Sequence, residues 1–215
     1  MSDSKDFIDQ GVGTPDRLQR LWAPYRMNYI RNDGVKSSGV STAQKITNGD
    51  TEKNNEVRVD HRPNPFVEIP TLSDEDGLIV ARGEFVYCVL NLFPYNSGHM
   101  MVVPYRQEPD LENLRPEEST ELMAFAQAAV RVLKSVSRPD ACNVGFNLGR
   151  SAGGSVGEHL HMHIVPRWNG DANFMTVLGE TKVLPQLLRE TRHLLAKAWS
   201  DLAAEDPDFP GVAHA

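Results

Sequence analysis

The stretch that most restricts what this chain can fold into is Glu158-His159-Leu160-His161-Met162-His163-Ile164-Val165, followed by Pro166-Arg167-Trp168. Histidine alternates with an apolar residue, and an extended chain sends alternate side chains to one face, so the three imidazoles would stand about 6.5 Å apart in a row. On a helix the same residues would step by about 200° and share no face. The pattern predicts a strand with imidazoles on one side and Leu160, Met162 and Ile164 turned into a core. Two chemistries want such a row. An imidazole nitrogen can attack phosphorus or a carbonyl carbon while a neighbouring histidine fixes its tautomer, or alternate histidines can hold a metal. The triple by itself does not choose.

Composition narrows the partners. The 215 residues carry a formal charge of −7, so no basic surface is expected for a nucleic-acid backbone or an anionic membrane. A small anion in a local positive pocket stays possible. The longest nearly apolar run, residues 85–93, is about half the length of a membrane-spanning helix. Cys88 and Cys142 both sit in apolar runs, which predicts no disulfide framework and fits a reducing cytoplasm. The opening Met1-Ser2-Asp3-Ser4-Lys5-Asp6 lacks the basic and apolar regions of a signal peptide.

In chain order, residues 1–31 read as an aromatic-rich arm, with Thr14 and Pro15 as a helix start and Pro24 breaking it. Residues 32–62 are dominated by Ser, Thr, Asn, Asp, Gly and Lys, too polar to offset the entropy of ordering them, and are expected to be a flexible linker or insert. The folded body is expected over 63–204. Strands are predicted at 77–82 and 84–93, with a return strand at 99–105 after the turn Pro94-Tyr95-Asn96-Ser97-Gly98. A helix is predicted from Pro116 to Ser137 on the stripe Leu122, Ala126, Ala129, Leu133 and Val136. A strand at 142–148, the Gly/Ser loop 149–157, the histidine strand and an amphipathic helix over 183–204 complete it. Residues 205–215 read as a flexible tail. The order gives an α+β fold, an antiparallel sheet of about five strands with two main helices on one side.

The motifs together resemble the histidine-triad (HIT) nucleotide-binding family. Its hallmark, His-φ-His-φ-His-φ-φ with φ apolar, is matched from His159 to Val165, and its Gly-His-…-Val-x-Pro strand by Gly98-His99-Met100-Met101-Val102-Val103-Pro104. Residues 64–168 carry the likeness, with Leu21-Trp22-Ala23-Pro24-Tyr25-Arg26 matching an arm found in one branch. The runs Ser73-Asp74-Glu75-Asp76-Gly77-Leu78, Asn147-Leu148-Gly149, Ser151-Ala152-Gly153-Gly154-Ser155 and Pro166-Arg167-Trp168 are similar to the actinobacterial diadenosine tetraphosphate phosphorylases within it.

The resemblance implies a HIT-like fold, His161 as nucleophile and a nucleotidyl-histidine intermediate, with His159 and His163 orienting it and donating to phosphate oxygens. It further implies Gly154 and Ser155 as a phosphate cradle, Asn147 on the phosphate near the scissile bond, Asn91 on the ribose hydroxyls, His99 near the phosphates or sugar, and Trp168 as a wall on the leaving-group side. The implied partners are a dinucleoside polyphosphate and inorganic phosphate, and the implied assembly is a homodimer or dimer of dimers. Arg150, Arg167 and Lys182 are the cations within reach for an acceptor phosphate. Relatives with the Trp-x-Pro arm often carry Cys-x-x-Cys where this chain has Asn64-Pro65-Phe66-Val67, so no zinc and no cofactor are expected. Two other activities fit the same motifs: hydrolysis of dinucleoside polyphosphates or nucleoside phosphoramidates, and nucleotide sensing without a catalytic role.

Overall fold

The computed structural model describes residues 64–153, 156–172 and 186–214, with 19–20, 178, 181–182 and 184. The arm around Trp22, the linker over 32–62, and Gly154 and Ser155 fall outside the described residues. A two-residue parallel pair joins Gln19–Arg20 (β1) to Thr181–Lys182 (β7). The body is one antiparallel sheet of five strands, Ile79–Arg82 (β2), Val86–Leu90 (β3), Met100–Pro104 (β4), Ala141–Phe146 (β5) and Met162–Arg167 (β6), in the spatial order β2-β3-β4-β6-β5. Its helices are Pro65–Glu68 (α1), Pro116–Val136 (α2) and Leu188–Glu205 (α3). The α+β layout matches the sequence expectation.

The alternation of the strands decides what lies on each face. Register sets Cys88 against Val102 and Val102 against Met162 in one row, and Val89 against Met101 and Met101 against His163 in the next. Adjacent rows point to opposite faces. The first face is covered by α2 and α3, where Phe125, Ala129, Val132, Leu133, Leu195 and Trp199 are buried with Met100, Met162 and Ile164. Phe125 and Trp199 meet with ring centroids 5.3 Å apart. The second face carries the histidines.

Helix α2 starts where its sequence says it should. Pro116 occupies the first turn, where a missing N–H costs nothing, and the Glu118 carboxylate accepts the Arg115 N–H at 2.9 Å, which satisfies a donor that the helix cannot. Further along, Glu121 accepts the N–H groups of Glu84, Phe85 and Val86 at 2.8, 2.5 and 2.9 Å. The helix is thereby tied to the turn between β2 and β3. Gly98, with φ of +80°, makes the turn that delivers His99 to the head of β4; the left-handed region suits glycine.

Two expectations change. The histidine segment is a strand only from Met162 onward, because the neighbouring β4 ends at Pro104, which has no N–H to extend the ladder and gives its carbonyl to the His159 Nε2–H at 2.8 Å. His159 and His161 therefore lie ahead of β6, outside its pairing. Residues 206–214, expected as a flexible tail, pack back on the body: Phe209 is buried, the Trp199 indole donates to Pro210 O at 2.8 Å, and Val212 and Arg82 exchange backbone bonds at 2.8 Å.

Candidate active site

The site forms where the end of β4, the turn before it and the start of β6 converge. His159 is 1% exposed and held from both sides. Its Nε2–H donates to Pro104 O at 2.8 Å, and its Nδ1 accepts from Asn64 Nδ2 at 3.1 Å. A carbonyl can only accept, so the proton sits on Nε2. Burial pushes the His159 imidazolium below its ordinary range and outweighs the opposing bond to Pro104, which favours the neutral ring.

His161 is oriented by the same logic. Its Nδ1 lies 2.9 Å from the His159 carbonyl oxygen, which can only accept, so Nδ1 carries the proton and the lone pair is on Nε2. That is the tautomer a nucleophile needs. The Phe66 ring packs on it at 4.9 Å between centroids and on His159 at 5.6 Å, and the His163 ring meets it edge-on at 4.9 Å.

A second chain of bonds runs through His99 and His163. The Tyr95 N–H donates to His99 Nδ1 at 3.0 Å, so the remaining proton of His99 is on Nε2 and points to His163 Nδ1 at 2.9 Å. His163 then carries its own proton on Nε2, 3.4 Å from the Asn147 amide nitrogen. Two donors do not face one another, so the protons assign Asn147 the orientation in which its amide oxygen accepts. Tyr95 packs against both rings, at 4.6 Å from His99 and 5.6 Å from His163. Three donors thus follow one another in one direction, from Tyr95 through His99 to His163 and Asn147, with the His163 ring packed beside His161.

The sequence-predicted residues are therefore brought together unevenly. His161, His163, His99 and Asn147 share one constellation; His159 stands behind it. Asn91 is buried beside His99, with its Oδ1 accepting the Phe93 N–H at 2.9 Å and its Nδ2 3.4 Å from His99 Nδ1. Trp168 is half-buried just past β6, its N–H on Asp171 at 3.2 Å. Gly154 and Ser155 lie outside the described residues, as do the side chains of Arg150 and Lys182.

Arg167 is an exposed cation, 45% accessible at its side chain, that is already held in an ion pair. Its guanidinium forks onto Asp171, Nε at 2.6 Å and Nη2 at 2.9 Å, while Nη1 donates to Asn143 at 3.0 Å. Asp171 also takes Asn96 Nδ2 at 2.8 Å. Two parallel charge-assisted bonds neutralise the cation, so an acceptor anion would have to compete with a carboxylate already in place. Next to this fork opens a cleft of about 430 Å³ lined by Tyr95, Asn96, Asn143, Asn147, His163 and Arg167, among others. Its walls combine the Asn96, Asn143 and Asn147 amides, the rings of Tyr95, Phe146 and His163, the Arg167–Asp171 pair and the aliphatic Val144, Val165 and Ala172. Among the described residues no group of three or more His, Cys, Asp and Glu side chains could hold a metal ion.

Three partners escaped the sequence reading: Asn64, Phe66 and Tyr95. The signal for the first two was present, since Asn followed by Pro marks a helix N-terminus, but nothing local tied that turn to the histidines.

A five-stranded antiparallel sheet that presents three alternating histidines beside a Gly-His strand defines the class, and the chain belongs to the histidine-triad family. The HIT domain matches residues 73–170. Over 193 residues the chain is 58% identical to the AP-4-A phosphorylase of Mycobacterium tuberculosis, covering 90% of each. Among solved structures it is similar to a zinc-bound histidine-triad protein from Mycobacterium smegmatis, with a TM-score of 0.51 and 27% identity over 60% of this chain and 88% of that one. A histidine-triad nucleotide-binding protein from Sulfolobus tokodaii gives a TM-score of 0.55 at 24% identity over 67% of this chain and 97% of that one, a likeness of fold. Among the described residues no helix is long and apolar enough to cross a membrane.

Proposed function

We propose that this protein is a dinucleoside polyphosphate phosphorylase, which cleaves diadenosine tetraphosphate with inorganic phosphate to ATP and ADP through a nucleotidyl-histidine intermediate. The observation that carries it is the His161 ring, whose Nδ1–H is committed to the His159 carbonyl at 2.9 Å in a chain 58% identical to AP-4-A phosphorylase across 90% of both lengths.

His161 Nε2 attacks the α-phosphorus; the N–P bond forms, and the bond from phosphorus to the bridging oxygen breaks, releasing ATP. The imidazole becomes cationic, and its Nδ1–H bond to the carbonyl strengthens as it does so, which favours the transition state over the resting site. The His163 Nε2–H, backed by His99, is the donor for phosphate or leaving-group oxygen. Asn147 assists without adding charge. An oxygen of inorganic phosphate then attacks the same phosphorus, the N–P bond breaks, ADP departs and His161 returns neutral. The departing triphosphate chain leaves along the cleft beside His163, with Trp168, which follows the cleft residue Arg167 in sequence, as the proposed wall on the leaving-group side. Asn91 lies close enough to His99 to meet the ribose, and Gly154 with Ser155 would cradle the phosphate.

The protein works as a homodimer or a pair of dimers. The support is β5, an edge strand on which Val144 is 49% exposed with Leu148 at 48% just beyond. Light scattering coupled to size exclusion measures this directly; a monomer at micromolar concentration would refute it. The catalytic test is product analysis. With phosphate present, ATP and ADP should appear in equal amounts from diadenosine tetraphosphate, and turnover should stall in phosphate-free buffer. Undiminished release of AMP and ATP without phosphate would make the protein a hydrolase instead.

A further inference from the structure

One part-buried side-chain bond, between Asn64 and His159 across 95 residues of sequence, has no task in the proposed reaction. We propose that Asn64 is a positioning residue for the reaction: its amide locks His159 into one neutral tautomer, and the locked His159 presents the main-chain carbonyl that keeps the proton of His161 on Nδ1. This rests on the proposed role of His161 and extends it to a residue that touches no substrate.

The orientation of the amide is not open to choice. Asn64 caps α1, its Oδ1 accepting the Phe66 N–H at 3.0 Å, so the atom turned to His159 Nδ1 at 3.1 Å is the NH₂ group. A donor there requires a lone pair on Nδ1, and the proton on Nε2 is what Pro104 O receives at 2.8 Å. The two bonds specify each other. They matter because the backbone around His159 has little else to fix it: the segment precedes β6, and Leu160 is tied to Glu108 O through its N–H at 2.7 Å rather than to a neighbouring strand. Rotate or re-protonate the His159 ring and the carbonyl that orients His161 moves with it. The same corner supplies a second constraint, since Phe66 packs on both imidazoles and its own carbonyl accepts the buried Tyr87 hydroxyl at 2.8 Å. Asn64-Pro65-Phe66 is thus a single clasp made of an amide, a helix start and a ring.

Asn64→Asp separates the donor from the cap. Aspartate caps a helix as well as asparagine, so the fold stays, but an acceptor replaces the donor facing Nδ1. The groups set against the ring are then the new carboxylate, Phe66 and the Pro104 carbonyl, and both acceptors call for a proton. Ring ¹⁵N shifts of His159 should show one protonated nitrogen in the wild type and two in Asn64→Asp at the same neutral pH. Formation of the labelled nucleotidyl-enzyme should slow by about 10- to 100-fold, with KM within about threefold, as expected when a reacting group is misplaced rather than substrate binding lost. Asn64→Ser, which caps but cannot reach His159, should slow the same step without adding a proton. Unchanged His159 tautomer and labelling rate in both variants would overturn the proposal. An unlabelled wild-type His161 would instead overturn the phosphorolysis reading, and this role with it, so the two failures are told apart.

Discussion

The two faces of this sheet are built on opposite rules. Under α2 and α3, Phe125, Leu133, Leu195, Trp199, Met162 and Ile164 are held mainly by volume and area, although the Trp199 indole also makes a directed bond to Pro210 O. On the other face, beside the packing of Phe66 and Tyr95 on the imidazoles, the polar contacts have a direction. Tyr95 N–H, His99, His163 and Asn147 form one ordered series, and Asn64, His159 and His161 form another. A non-directional face tolerates substitution in proportion to the volume lost, whereas a directed one fails when a single proton is misassigned. One strand, β6, serves both, because its successive residues face opposite ways.

Perturbing each face should therefore separate activity from stability. The largest effect belongs to His161→Asn, which should lower phosphorolysis by ~10⁴-fold or more and leave the urea midpoint within ordinary surface-mutant scatter; a variant that keeps activity would break the contrast at once. Next, Phe125→Ala on the helix-covered face should cost about 3–5 kcal/mol of stability while kcat per folded molecule stays the same, as measured by urea unfolding beside active-site titration. His99→Asn should follow with a fall in kcat of ~10²-fold and a smaller change in KM, since it removes the donor behind His163 but not the nucleophile. If His99→Asn proves harmless, the series through His163 is not a working relay.

The smallest effect sharpens the contrast by pH. Glu118 is held by Arg106, with the Arg115 N–H assisting, and its pKa falls to about 2. A carboxylate depressed in the fold stabilises it above the unfolded pKa, and that contribution disappears as pH falls from about 4.5 toward 2. Glu118→Gln should lower the unfolding midpoint at pH 7 and lose most of its penalty by pH 3, with activity untouched at neutral pH.

Legibility followed the same division. The apolar face was readable because core packing leaves a 3.6 period in α2 and runs of β-branched and aromatic residues in the strands, and the elements came out within about five residues of their observed ends. The histidines were readable as a row for the same reason. Their partners were not, because a directed bond leaves no period: His99 and His163 lie 64 residues apart, and Asn64 and His159 lie 95 apart. Arg167 shows the limit for charge, since its neutralisation depends on a carboxylate four residues on and an amide on the next strand. The packed segment after α3 was hidden because Phe209 and Pro210 are single anchors in a short stretch with no helical or strand period. The Gly/Ser loop stands apart, with Gly154 and Ser155 outside the described residues.

That returning segment decides how such sheets can meet. Val212 occupies the outer side of β2 at Arg82, and the Arg192 guanidinium takes the Ile79 carbonyl at 2.8 Å, so that margin offers no ladder to a stranger. Among the described residues β5 has no neighbour on its outer side. A sheet with one covered rim and one open rim favours a single edge-to-edge pairing with a like copy over strand-by-strand extension, which needs two open rims per copy; residues 206–214 supply the cover.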